Sequence, residues 1–271
     1  MSVDFRTAFI VTIVIVIIFL SIIVVLTILL YNSNNDNNDN NDDVNNDKLV
    51  PSTTIYEDER CPELLQLLQD NSIIFQTLTN IAQKDGFIEG NIFTASQGDN
   101  DFAASLRVKQ ENLFQISRMA KTTIIEIGSN ACHSMLIFLL GSKEDVDIVC
   151  FDSCSHHYTA ECFKYIQTSF PNRKISLIIG DSSLTVPEFV KKNNNKDIDL
   201  CHIDGCHELR VARQDMINCI NLNPDYIIFD DTDFDHLHDM CNEFVANGAI
   251  KKAPVLINST YGSQHIVFST I

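Results

Sequence analysis

The sequence predicts an α/β fold built on a doubly wound sheet whose central strands are parallel. Three observations predict it. From residue 122 onward, short β-rich apolar runs alternate with helix-like segments of roughly ten residues or more. Five of those runs end in a carboxylate or lead straight into one. About 220 residues of ordinary globular composition surround them, enough to bury a single core.

The elements follow in order. The run 122–127, TTIIEI, is apolar and β-branched and stops at Gly128, so it reads as the first strand; 131–140 reads as a helix. Residues 146–151, VDIVCF, give a second strand and 159–169 a helix. KISLII at 174–179 is a third strand, ending at Gly180, with a short helix at 186–193. IDLCHI at 198–203 and YIIF at 226–229 are the fourth and fifth strands, followed by helices at 208–222 and 234–246. Two more strands, 255–257 and 265–269, close a seven-stranded sheet. Upstream, 63–83 and 106–119 read as amphipathic helices that cap it.

The chain before residue 48 differs in kind. Residues 1–7 are a short flank. Residues 8–31 are apolar and uncharged, AFIVTIVIVIIFLSIIVVLTILLY. As a helix this run would rise about 36 Å, enough to span a bilayer core with some tilt. It is longer than a secretory h-region and lacks an A-x-A cleavage pattern, so it reads as a membrane anchor. Residues 32–47, NSNNDNNDNNDDVNND, hold one apolar residue and read as a disordered tether spanning about 20–25 Å. Its five Asp are solvated linker residues rather than a calcium site. Residues 48–271 are the folded domain.

Formal charge is −17 for the chain, and setting the tether's five Asp aside leaves −12 on the domain. That balance excludes a general nucleic-acid binder, which needs Lys and Arg against phosphate. Nine Cys form no C-x-x-C pair, and Cys150 and Cys201 fall inside predicted strands. They read as small core residues in a reducing environment.

Ligands of such sheets bind beyond the carboxyl ends of the strands. The informative residues are therefore Glu126 to Gly128, Asp152 and Ser153, Gly180 to Ser182, Asp204 and Gly205, and Asp230 and Asp231. The first loop, Gly128-Ser129-Asn130-Ala131-Cys132-His133, lacks the second and third glycines of a dinucleotide motif. There is no G-x-x-x-x-G-K either. Glu126 would repel a pyrophosphate and suits a cationic ligand that carries an amino group.

With these motifs in order, IIEIGSNACHS, VCFDSCSHHY, IIGDSS, DLCHIDGCHE and YIIFDDT, the chain resembles the class I S-adenosylmethionine-dependent methyltransferases. Within them it looks most like the metal-dependent O-methyltransferase branch that includes catechol and sugar O-methyltransferases. The resemblance spans residues 97–271. KQENL, EIGSNACHS and HIDGCHE are also similar to methyltransferase-like proteins of giant DNA viruses.

The resemblance implies a Rossmann-like sheet and assigns roles to residues. Glu126 and Gly128 would hold the amino-acid end of S-adenosylmethionine, with Ser134 at a helix start toward its carboxylate and Asn130 as a further cofactor-binding residue. Asp152 and Ser153 would meet the ribose, the two oxygens of Asp152 taking its hydroxyls. Asp181 and Ser182 would meet the adenine. Asp204, Asp230 and Asp231 would bind a divalent cation, most suitably Mg²⁺, that lowers the pKa of an acceptor hydroxyl. His207, beside Asp204, would take the proton. His202 shares a strand face with Asp204, which makes zinc geometrically possible, though the oxygen-rich surroundings favour a harder ion.

Other features carry less. Asp231 to Asp235 opens like an EF-hand loop, but His236 replaces its Gly and Asn242 its Glu. His236 and His238 read as a helix start, and His156 and His157 as lining of the cofactor pocket. Cys132 and Cys206 stand where the resembled motifs carry Gly.

The expected function is a membrane-anchored O-methyltransferase acting on a sugar, glycan or other small hydroxyl compound. The alternative is an inactive methyltransferase-fold module tethered to a membrane, which the two Gly-to-Cys replacements motivate. Arg6 before the apolar run would keep the N-terminus cytosolic and export the domain; unpaired core cysteines and a cytosolic cofactor argue the opposite. The sequon at Asn258 is a probe of that topology.

Overall fold

The computed structural model describes residues 61–84, 107–193, 196–253 and 265–271. The chain divides into two units, Met1–Thr53 and Thr54–Ile271, and every described residue belongs to the second. The expected span at 8–31, the tether at 32–47, the strand at 255–257 and the sequon at Asn258 lie outside the described residues. Among the described residues no helix is long and apolar enough to cross a membrane.

Among the described residues three helices precede the sheet: α1 (Pro62–Asp70), α2 (Ser72–Gln83) and α3 (Arg107–Met119). Strands and helices then alternate through β1 (Thr123–Ile127), α4 (His133–Gly141), β2 (Asp147–Asp152), α5 (His157–Ser169), β3 (Ile175–Ile179) and α6 (Ser182–Lys192). They continue through β4 (Leu200–Ile203), α7 (Leu209–Asn221), β5 (Tyr226–Phe229), α8 (Asp235–Ala246), β6 (Ile250–Lys252) and β7 (Ile266–Thr270). The sheet order is β3-β2-β1-β4-β5-β7-β6. The first five strands pair in parallel, and β7 lies antiparallel between β5 and β6. This is the doubly wound sheet the alternation predicts.

Two expectations need correction. The helix expected over 63–83 is broken at Asn71, whose side-chain amide donates to Leu67 O at 2.8 Å and ends α1. The sixth described strand is Ile250–Lys252, and the run 255–257 lies outside the described residues. Helix α6 begins at Ser182 rather than residue 186, because the Asp181 carboxylate caps it by accepting from Ser183 N at 2.9 Å.

Both faces of the sheet are covered, so the central strands are mostly apolar, with Glu126 and His202 as buried polar exceptions. Alternation sends Ile124, Cys150, Leu200 and Ile228 into one core, under α1 to α5. Ile125, Phe151, Cys201 and Ile227 enter the other, under α6 to α8. The same alternation turns Glu126 and His202 toward α4. Helix α4, HSMLIFLLG, is buried on nearly every side between the sheet and the upstream helices. Gly141 lets α3 close on it: a Cβ there would lie 2.0 Å from Ser117 Oγ and 3.0 Å from Phe114 O. That approach, with Leu113, Phe114 and Ile116 fully buried, fixes where α3 presents its polar face.

Candidate active site

A cavity of about 800 Å³ opens beyond the carboxyl ends of the five parallel strands. It straddles β1 and β4, where the strand order reverses, the place such sheets bind ligands. Of the twelve residues expected in the site, eleven line it; Glu126 does not.

The β1 loop must pass very close to the β4 loop. Gly128 has φ +90°, and a Cβ on it would fall 1.9 Å from Asp204 O. Only glycine fits both the backbone angle and the space. Four of the five described non-glycine residues with positive φ also sit in strand-end loops: Asn130, Cys132, Cys154 and Asp231. Such conformations persist where the surroundings hold them, commonly at functional sites. Cys132, at φ 63° and fully buried, occupies a left-handed position that glycine favours.

Asp152 organises the cofactor side. Its Oδ2 accepts from Ser129 N at 2.9 Å and Asn130 N at 3.0 Å, and its Oδ1 accepts from Cys154 N at 2.7 Å. A carboxylate offers about four lone-pair positions, so one remains on Oδ1. Two ribose hydroxyls cannot both be taken by this residue in that arrangement. Tyr158 Oη donates to Asn130 Oδ1 at 2.6 Å, and His156 stacks on Tyr158 with ring centroids 5.0 Å apart.

Glu126 stands behind the cavity wall, fully buried. It accepts from Ser134 Oγ at 2.5 Å, lies 3.3 Å from His202 Nδ1, and takes a longer bond from Cys150 Sγ. It ties β1, β2, β4 and α4 together. Ser134 therefore commits its hydroxyl proton to Glu126 while its side chain still reaches the cavity. Neighbouring His133 lies 3.3 Å from Thr79 Oγ1, and burial pushes its pKa down to about 3, so it stays neutral.

At the β3 end, Asp181 is exposed. Hydrogen bonds from Ser183 hold its carboxyl below the usual range. Ser182 Oγ donates to Asp215 Oδ2 at 3.1 Å. Asp215 is fully buried on α7, and burial pushes its pKa up to about 6 against the partial offset of the Ser182 bond.

The β4 and β5 ends carry the charged groups. Lys109 of α3 pairs its Nζ with Asp230 Oδ2 and lies 3.6 Å from Asp204 Oδ2. Asp230 is only 2% exposed, so its charge requires a close counter-ion. Asp231 turns the other way, its Oδ2 2.7 Å from His207 Nε2. Burial raises the Asp231 carboxyl, but the His207 bond and charge, then Lys109, bring it below its ordinary value. Phe234 packs beside His207 at 5.3 Å between ring centroids, and the His236 ring nitrogen Nε2 lies 2.9 Å from His207 O.

The three expected metal carboxylates do not converge on one point. Among the described residues ligand atoms form two groups, His202 with Asp204 and Asp230, and Asp204 with His207 and Asp231, each within 4.8 Å. The first group already faces the Lys109 ammonium, and in the second Asp231 is bonded to His207. A divalent ion in the first group would meet the Lys109 ammonium, and one in the second would displace the His207–Asp231 bond.

Sequence reading missed Lys109, Asp215 and the role of His202 beside Glu126. Lys109 left no local signal in the sequence. Its segment, KQEN, lies in an amphipathic helix yet places Gln110, Glu111 and Asn112 in the interior rather than in solvent.

Residues 125–232 match the family of methyltransferase domains. No curated protein matches the chain. Among solved structures, an O-methyltransferase from Bacillus cereus in complex with SAH superposes with a TM-score of 0.55 at 11% identity, covering 76% of this chain and 96% of that one. The O-methyltransferase TomG from Streptomyces achromogenes, involved in tomaymycin synthesis and bound to SAM, gives 0.52 at 12% identity, covering 72% and 88%. At these identities the likeness shows the fold. Together, the domain match and the shared fold support an S-adenosylmethionine-dependent methyltransferase.

Proposed function

We propose that the chain is an S-adenosylmethionine-dependent O-methyltransferase acting on a sugar, glycan or other small hydroxyl compound. One observation carries the reading: the matched segment, 125–232, supplies nearly the whole wall of one cavity at the β1/β4 switch point. When bound, S-adenosylmethionine supplies an electrophilic methyl group.

The chain's own residues divide the work. The open position on Asp152 Oδ1 takes one ribose hydroxyl, and Ser153 stands beside it for the other. Asp181 and Ser182 border the adenine end. The first turn of α4, reaching the cavity through His133 and Ser134, offers backbone N–H groups to the cofactor's carboxylate. Glu126 and Gly128 shape that loop, Glu126 from behind it. His207 accepts the proton of the acceptor hydroxyl, and Asp231 orients its ring and stabilises the imidazolium that forms. Asp204 and Asp230 hold the Lys109 ammonium beside the acceptor oxygen. No step here runs through a divalent ion, because Lys109 already faces both carboxylates.

The proposal places the domain on a membrane through residues 8–31 and the tether 32–47, on the strength of the apolar run alone. Likeness to giant-virus proteins makes a viral source part of the same reading. A second reading, an inactive module, draws on Cys132, whose left-handed backbone is a costly place for a side chain. Full-length protein in detergent, incubated with methyl-labelled S-adenosylmethionine and a panel of sugars and phenols, distinguishes them. Label in an ether product, lost in His207→Ala, supports the enzyme. Cofactor binding with no label in any product supports the module.

A further inference from the structure

We propose that Lys109 is the built-in cation of this site, standing where metal-dependent relatives of the resembled branch would hold a divalent ion. The inference rests on the reading of the cavity as a methyl-transfer site for its catalytic part. Its structural part stands on geometry alone.

The ammonium is placed, not loosely directed. The Lys109 side chain is 11% exposed and faces two carboxylates from two different strands. One turn along α3 from it, Asn112 Nδ2 bonds His265 Nε2 of the β7 end at 2.8 Å. The helix is held against α4 at Gly141 and is buried through Leu113, Phe114 and Ile116. Lys109 thus reaches the site from an anchored element.

The charges around it match one cation and oppose a second. Asp230 is buried and needs a partner, and Lys109 supplies it. Asp204 shares the same ammonium. Asp231, the third expected ligand, is occupied by His207. A divalent ion entering between Asp204 and Asp230 would meet the ammonium within a few ångströms, and the two like charges would repel.

The position also gives Lys109 work. An ammonium has three N–H donors. Two face Asp230 and Asp204, and Lys109 lines the cavity, so the third can reach an acceptor oxygen. There it holds the hydroxyl oxygen and stabilises the negative charge that builds as His207 removes the proton. This is the electrostatic service of a metal, delivered by a side chain that cannot dissociate.

The test is Mn²⁺ binding to the full-length protein in detergent, read by electron paramagnetic resonance at about 100 µM ion. The wild type should leave the free-ion signal unattenuated. Lys109→Ala should bind one Mn²⁺ at least about tenfold more tightly than wild type, and Lys109→Ala with Asp230→Asn should lose it again. Lys109→Gln replaces Lys109→Ala if the latter does not fold. Stoichiometric Mn²⁺ binding by the wild type overturns the proposal, as does a folded Lys109 variant that gains no ion. S-adenosylmethionine calorimetry on the same samples separates the two claims. Loss of cofactor binding would sink the methyl-transfer reading and leave the Mn²⁺ result to decide on Lys109.

Discussion

The two halves of the cavity are built in different ways. On the β1 to β3 side, the polar groups are spent on the chain itself. Asp152 accepts three backbone N–H groups, Asp181 caps α6, and the loops store left-handed backbone at Asn130, Cys132 and Cys154. On the β4 and β5 side, charged side chains from distant segments pair with one another: Lys109 with Asp230 and Asp204, His207 with Asp231. The first half is a shaped loop wall, suited to a ligand of fixed form. The second is a charge network, suited to moving a proton and accommodating a developing negative charge.

The sharpest way to break this comparison is at the point where the halves touch. Gly128→Ala would drive a Cβ into the Asp204 carbonyl and force φ +90° on alanine. Thermal denaturation should show a loss of more than about 4 kcal/mol, or no folded protein. A near-neutral result would mean that the loops are not locked together.

Next comes the charge network. Lys109→Met strands the buried Asp230 carboxylate and should cost about 3 kcal/mol in chemical denaturation. Adding Asp230→Asn should recover most of it, since the uncompensated charge is then gone. Independent, additive losses would show that the two groups do not form a pair.

His207→Ala tests the proton path. Its kcat should fall about 100-fold with little change in KM, as expected when a base is removed but binding is kept. Chelator treatment of the wild type should leave kcat unchanged. A drop confined to KM would reassign His207 to acceptor binding.

The smallest effect belongs to the loop wall. Burial raises Asp215 to about 6 from its usual 3.8, so between those values the folded chain holds the proton more tightly than the unfolded one. Stability from this residue therefore falls as pH climbs from about 4 to 6, and the full cost remains above 6. Asp215→Asn should stabilise the protein by about 1–2 kcal/mol at pH 8 and by almost nothing at pH 4. Comparing variant with parent cancels the opposite acid-side contribution of His133 and His265, which burial holds neutral with pKa values of about 3.

The same division explains what the sequence discloses. The loop-wall half follows each strand directly, so strand ends read from local pattern locate Gly128, Asp152, Asp181 and Ser182. The five parallel strands are legible for the same reason, within a residue or two at most ends. Glu126 was placed on the right strand, but its face was decided by alternation against α4, which turns it inward from the cavity. Lys109 was not legible, because nothing local distinguishes it from other lysines on an amphipathic helix. Its place depends on Gly141 drawing α3 onto α4 and on Asp230 arriving from β5. The break at Asn71 fails similarly: one side-chain bond outweighs the local apolar pattern.

The central claim is that this cavity receives S-adenosylmethionine. Titration calorimetry of full-length protein in detergent tests it most directly. The account predicts one site with a Kd in the micromolar range, weakened at least about tenfold in Asp152→Ala, whose loss frees the loop that the carboxylate gathers. Absence of any binding at about 1 mM cofactor, with the protein folded, would contradict it.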